Sequence, residues 1–555
     1  MFQALNQGNE LEYEDVQSRP GHIRRSIPPS TSAAEPEENT HLLIGIRPSR
    51  KQVYEWTHNE WKRILVLNVL PVAVVLAWCA IPLPTYDPND INDINNNNNN
   101  NNDITLNQHQ NQHSQYLLLN HFSNNFNFNN NNNNNNNNNL DNNLISNFNN
   151  DNNNNFEKPL EINFWYFLFF YYGFYNAIAL LMITKVFDLY SLNWWPKWLG
   201  GGFAYCIFWI FSLFLGALIY LYTGLEKFNL TWVLLTFFTM NMPLLVAFIV
   251  IKSQNRNTYR HSMTIFQKTF LERQLDSRIP ASYRRFLWFC FTLFIIISAF
   301  IAGEAYAYVF ISTPSAHTGI DAFVYVYSWL ATIYILDTVT EYIIETRVKS
   351  YPLQFSFKLY FFMIYFIFYR NLFARLRNPK QYILIQAASS LWVCIFYPIC
   401  MTRKMHKALV YFLGLRKDYE EYKKQCGRSF FIRNLAENAT MLGFICWICI
   451  IHYGPNYDVY PYFKFNEEGN EFNFDYTLRA SCYIWAFELA STIITRLIYT
   501  NVFQHNISKE AVKDFEAYPE MVVALIVIII HVLQDMLMAL LSLNFQGGHS
   551  GKNRP

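Results

Sequence analysis

Residues 521–543 read MVVALIVIIIHVLQDMLMALLSL, an apolar run in which only His531, Gln534, Asp535 and Ser542 carry polar side chains. A helix needs about 20 apolar residues, rising about 1.5 Å each, to cross a hydrocarbon core of about 30 Å. The stretch therefore reads as a membrane span with two ionisable groups near its middle. A charge at that depth costs about 2.5–3.5 kcal/mol on insertion scales, so it faces a protein interior or a wet cavity.

Working outward from this span, ten more apolar blocks recur, over about 64–83, 162–183, 203–223, 229–251, 286–312, 320–344, 353–369, 382–400, 435–453 and 478–500. The chain of 555 residues is 52% hydrophobic and 15% charged, and its apolar residues come in blocks rather than in the alternation of a soluble fold. The fold class predicted is all-α, a polytopic integral membrane bundle of about nine to eleven transmembrane helices. The count depends on 353–369 and 382–400, the two shortest blocks, which either cross or dip in and return. A net charge of +2, with basic residues clustered beside spans, speaks for contact with a lipid bilayer and against nucleic acid as a partner.

Three segments lack the means to build a core. Residues 1–60 are polar and rich in Pro, Ser and Glu, without the apolar stretch of a cleavable signal peptide, and read as a disordered tail ahead of a first transmembrane helix within 61–87. Residues 88–158 are dominated by asparagine and read as a disordered low-complexity loop, set between that helix and a polytopic domain over 159–545. Residues 546–555 read as a disordered C-terminus. In the tail, Glu38 followed by Leu42 and Leu43 resembles an acidic dileucine sorting signal. That resemblance implies a vacuolar or endosomal membrane; without it, the plasma membrane or endoplasmic reticulum stands open.

Orientation follows from Lys and Arg, which stay with short cytoplasmic loops. Arg47, Arg50, Lys51, Lys62 and Arg63 precede the first span, whereas the Asn-rich loop holds only Lys158. The N-terminus is expected in the cytosol, together with the basic loops 252–285 and 401–434. The loop holding Arg370, Arg375, Arg377 and Lys380 disagrees, because eleven crossings place it on the far side. In 401–434, Ala408, Tyr411, Phe412 and Leu415 recur at near-helical spacing among basic residues. The pattern fits either a helix lying on anionic lipid or a solvated linker.

Seven of the nine cysteines lie within apolar blocks, so no disulfide framework is implied, and Cys446 and Cys449 read as small packing residues rather than a metal or redox pair. The chemistry-bearing residues lie elsewhere. Glu488 and His531 fall at the centres of consecutive spans, and Asp535 shares a helix face with His531. If those spans pack together, the three form one buried cluster suited to proton relay or cation coordination. Arg496, two turns from Glu488, is the expected counter-ion. Asp337 and Glu341 share a stripe on 320–344, and Glu304 on the preceding span is expected to extend a path with them. Asn241 and Pro243 mark an expected helix break at mid-depth, because proline frees a carbonyl one turn earlier.

No Walker glycine loop, no HExxH and no cluster of metal-ligating histidines is present, so neither a cofactor nor a metal is expected, and an enzyme is disfavoured without being excluded. The leading expectation is a transporter or channel for a small solute or ion, proton-coupled through midplane carboxylates and a histidine. The rivals are a lipid-modifying membrane enzyme and a non-catalytic receptor or assembly protein.

Overall fold

The computed structural model describes residues 48–86, 161–190, 202–253, 281–312, 319–376, 379–413, 417–460 and 474–545. Glu38, Leu42, Leu43, most of the Asn-rich loop, most of the basic loop 252–285 and the last ten residues lie outside them.

The described residues are helical almost throughout. In order they form α1 (Arg50–Thr57), α2 (Glu60–Cys79), α3 (Phe164–Tyr190), α4 (Gly202–Tyr222), α5 (Asn229–Ser253), α6 (Ala281–Ser312) and α7 (Gly319–Ile343). There follow α8 (Tyr351–Leu376), α9 (Pro379–Cys400), α10 (Arg403–Leu413), α11 (Tyr419–Tyr453), α12 (Phe474–Asn501), α13 (Ile507–Ala517) and α14 (Pro519–Leu540). A two-residue antiparallel pair, β1 (Thr85–Tyr86) with β2 (Glu161–Ile162), joins the chain on either side of the Asn-rich loop.

Local chemistry sets the helix ends. Ser49 and Gln52 form a reciprocal capping box on α1, and Asn506 accepts the Lys509 amide at 3.1 Å to start α13. Past α7 the chain widens into a π turn over Ile344–Val348, closed by Lys349 in the left-handed region at φ 56°.

Each of the eleven apolar blocks is a helix. Eight segments are long and apolar enough to cross a membrane: Glu60–Cys79, Phe164–Tyr190, Gly202–Tyr222, Asn229–Val246, Arg284–Gly303, Tyr351–Arg370, Tyr419–Tyr453 and Pro519–Leu540. The other three long helices, α7, α9 and α12, are not among these eight, and α9 carries a shorter apolar stretch over Gln386–Cys400.

Interhelical contacts define two ends of the bundle. At the end carrying α1 and α13, called proximal, Ser350 Oγ donates to Leu189 O at 2.9 Å, Tyr422 donates to Cys400 O at 2.7 Å, and Arg63 donates to Ser508 Oγ at 3.2 Å. At the distal end, Asn456 donates to the Cys79 and Ile81 carbonyls at 2.8 and 2.7 Å, which satisfies the last turn of α2. There too the Ile162 amide donates to Asn544 O at 2.7 Å. Helix α8 starts at the proximal end and runs 26 residues without a break, about 39 Å at about 1.5 Å per residue. Helix α9 returns to that end at Cys400. A dip-and-return within 353–369 is therefore not seen.

Burial orders the helices from centre to rim. The apolar window of α14 is 94% buried and that of α8 is 89% buried, against 22% for α4. The centre is thus built from the helices that carry His531, Asp535, Lys358 and Arg370. Dispersion and close packing hold such a bundle together in lipid, where apolar burial alone gives little advantage. Small residues let helices approach: a Cβ at Gly216 would stand 2.8 Å from Leu168 Cδ1 and 3.1 Å from the Trp232 ring.

Candidate functional site

The expected single cluster resolves into three. Helix α14 packs on α2, α3, α5 and α8, whereas α12 packs chiefly on α9 and α11, and α8 and α11 stand between the two. Consecutive order in the chain did not make α12 and α14 neighbours. Glu488 therefore does not join His531 and Asp535, which corrects the sequence expectation.

The first cluster surrounds Asp535. The Tyr175 phenol of α3 donates to Asp535 Oδ1, and the Tyr175 ring stacks on His531 with centroids 5.8 Å apart. His531 Nε2 stands 3.5 Å from Asp535 Oδ2, one helical turn away on the same face. His531, Gln534, Asp535 and Asn176 are all fully buried. Among the described residues, neither imidazole nitrogen of His531, neither amide atom of Gln534 or Asn176, and not the Tyr360 hydroxyl has a hydrogen-bond partner. Tyr360, on α8, lies within electrostatic reach of Asp535. It also lines a cavity of about 30 Å³ together with Asn241, Met240, Ile296, Phe357 and Ile528. That volume holds about one or two water molecules.

Asn241 thus reaches the site's border, but not through a broken helix. Helix α5 runs continuously through Pro243, and the Asn241 side-chain amide donates to the Phe237 carbonyl at 2.7 Å, one turn back. The carbonyl freed by the proline is that of Thr239, one turn before it, so the Asn241 bond adds to the helix ladder rather than replacing the missing N–H.

The second cluster holds Glu488. Its carboxylate receives Arg370 of α8 at 2.5 Å, with both side chains 3% exposed or less. Beside it on α11, Arg433 and Glu437 form a two-pronged pair at 2.9 and 3.0 Å. Asn434 and Asn438 extend the polar seam to Thr492 at 3.3 Å and to Trp485 at 3.2 Å on α12. Arg496 is not the counter-ion. Eight residues along the helix place it about 12 Å from Glu488 in axial rise, and its electrostatic neighbours are Arg63 and Glu60.

The third cluster neutralises the expected carboxylate stripe. Lys358 Nζ of α8 lies 2.9 Å from both Asp337 Oδ2 and Glu341 Oε2. Glu341 also accepts from Gln354 at 2.5 Å and from Gln425. Asp337 and Glu341 are therefore bound within the protein instead of lining an open path. Glu345 pairs with Lys417 at 2.8 Å. The Glu304 side chain lies outside the described residues.

Sequence reasoning missed Arg370, Lys358, Arg433, Glu437 and Tyr175. Lys358 carried a signal, being a lone cation inside an apolar block, and so did Arg433 and Glu437 at four-residue spacing. Arg370 sat at the edge of its block and read as a loop residue. Among the described residues no group of three or more His, Cys, Asp and Glu side chains gathers as a metal would require, and the cysteines are free.

No solved structure matches the chain. It is 36% identical over 397 residues to the Schizosaccharomyces pombe protein with the printed name "Uncharacterized protein C553.12c", an overlap that covers 70% of this chain and 75% of that relative. Residues 49–541, which contain all three clusters, match the family described as SPCC553.12c. The chain belongs to the SPCC553.12c family.

Proposed function

We propose that the protein is a membrane transporter or channel for a small solute or ion, coupled to protons, with the His531, Asp535 and Tyr175 cluster as its titrating centre. The carrying observation is the density of buried polar atoms without protein partners around that cluster. Leaving a buried donor or acceptor unmet costs about 1–3 kcal/mol, so such atoms mark where water or a polar solute binds. Four side chains of this kind, His531, Gln534, Asn176 and Tyr360, on three helices, exceed what tying helices together requires. Tyr360 and Asn241 at the neighbouring cavity extend the polar thread toward α5.

Glu488 and the Lys358 carboxylates take a different role in this reading. Their charges are met by Arg370 and Lys358 in close geometry, which suits fixed struts between helices better than mobile proton carriers. The eleven long helices each cross the bilayer, the proximal end faces the cytosol, and the tail with Glu38, Leu42 and Leu43 addresses the protein to an internal membrane.

Proton flux into sealed proteoliposomes, followed with a trapped pH-sensitive dye under an imposed gradient, tests the reading. Wild-type protein should carry flux that Asp535→Asn reduces at least tenfold while the purified variant stays folded and monodisperse. Wild-type vesicles no leakier than protein-free ones, or an Asp535→Asn variant with full flux, overturn it. Lipid turnover by the same vesicles, lost on the same substitution, would favour the enzyme reading instead.

A further inference from the structure

Helix α10 carries an exposed face that mixes cations with large aromatic groups. Arg403, Lys404 and Lys407 are exposed, Tyr411 is 83% exposed and Phe412 is 79% exposed. Lys404, Lys407 and Tyr411 follow three- and four-residue spacing and so share one face. The opposite side is turned to the protein. The His406 ring packs on Tyr422 at 5.1 Å and meets the Lys417 carbonyl at 3.0 Å, while Met405 and Leu409 are half-buried. No acidic residue occurs in the helix, and among the described residues none of its three cations has an ion-pair partner.

Position supplies the second element. Helix α10 begins three residues after Cys400 closes α9, with Met401 fully buried, so it leaves the bundle at the level where α9 ends. Aromatic rings and long cationic side chains at that level match the boundary between acyl chains and headgroups. Each Lys or Arg near an anionic surface contributes about 1 kcal/mol of attraction.

We infer that α10 docks on the anionic leaflet at the proximal end, with Tyr411 and Phe412 seated among the acyl chains and Lys404 and Lys407 holding lipid phosphates or carboxylates, while the Arg403 guanidinium lies 5.2 Å over the Tyr419 ring of α11. Three cations with no acid among them favour a charged leaflet over a zwitterionic one. His406 acts as the tether that keeps this face turned outward, by fixing the opposite side on α11. The inference is independent of the proposed transport chemistry, since α10 contributes nothing to the three buried clusters.

The test uses the full-length protein in lipid nanodiscs with a photo-crosslinking phenylalanine analogue at position 411 or, as a control in the bundle's lipid-facing wall, at Leu497. With phosphatidylcholine and phosphatidylserine in equal amounts, position 411 should crosslink phosphatidylserine several-fold in excess. The excess should vanish in the Lys404→Glu, Lys407→Glu variant and in high salt, while position 497 shows no headgroup preference. Crosslinking at 411 without headgroup preference, crosslinking to a co-purified protein in place of lipid, or absence of lipid crosslinks there overturns the inference. Size-exclusion behaviour of the charge-reversed variant separates loss of docking from loss of fold.

Discussion

Arg370 and Glu488 meet at 2.5 Å between α8 and α12, in a bundle where neither helix had an obvious reason from sequence to choose the other. The pair ties the most buried layer, α8 and α14, to the outer layer of α9 and α12. Removing one partner leaves a bare charge in a dry interior. Glu488→Ala should therefore destabilise the protein by about 3–5 kcal/mol. Replacing both residues with leucine should cost far less than the two single losses summed. Thermal unfolding of the four variants in detergent gives the comparison, and strict additivity would show that the contact contributes nothing of its own.

Lys358 serves two carboxylates at once, at 2.9 Å each. Lys358→Met keeps the volume and the apolar stem but strands Asp337 and Glu341 beside each other. Its cost should exceed that of Asp337→Asn, which leaves Lys358 with one acid. The order of the two melting temperatures checks this, and the reverse order would place the weight of the cluster on Asp337.

Helix α4 approaches α3 and α5 through Gly216, where an added Cβ meets Leu168 at 2.8 Å and Trp232 at 3.1 Å. Gly216→Val should therefore cost about 1–3 kcal/mol by overpacking, because a fully buried indole ring cannot yield freely. Gly224, with nothing near its Cβ position, is the matched control, and Gly224→Ala should leave the melting temperature in place.

His505 sits in the connection from α12 to α13, and burial, aided by Lys423 and Lys424, depresses its pKa below the ordinary value of 6.5. The folded state then binds fewer protons than the unfolded state between the two values, so stability rises with pH there. Its contribution is full above pH 6.5 and fades as the pH falls through the depressed value. Amide protection factors over residues 507–517, corrected for the intrinsic pH dependence of exchange, should fall on acidification below pH 6.5, and His505→Gln should flatten that response. Equal acid sensitivity in the variant would assign the effect to another group.

The class of fold was legible because residues such as those at 521–543 leave lipid as the only solvent that suits them. All eleven blocks proved helical, and the periodicity placed His531 and Asp535 correctly on one face. Partner choice was not legible. Apolar helices select neighbours by shape and small-residue contacts, which carry no period along the chain, so the adjacency of α12 and α14 was a reasonable inference that packing overrode. Arg496 was misassigned because a shared face with Glu488 outweighed the axial separation of about 12 Å that eight residues impose, and nothing along the chain announced a nearer arginine from α8. The proline at 243 likewise announced a lost N–H, yet not that α5 runs on through it. Tyr175 gave no signal, being one aromatic among many in an aromatic-rich block.

Tyr175 donates to Asp535, so Tyr175→Phe removes one hydrogen bond to a buried carboxyl and should cost about 1–3 kcal/mol. Fold should persist, and proton flux in vesicles should slow without vanishing. Complete loss would make the phenol an obligatory carrier rather than a positioning group.

The account rests most directly on water reaching His531. Infrared difference spectra of the reconstituted protein, with His531→Gln used to isolate the imidazole bands, report the exchange of its ring N–H for N–D after transfer to deuterated buffer. Exchange within minutes, while the amides of α14 stay protected, is the expected result. An imidazole that keeps its proton as long as those amides do would mean a sealed core, and a titrating centre there would be contradicted.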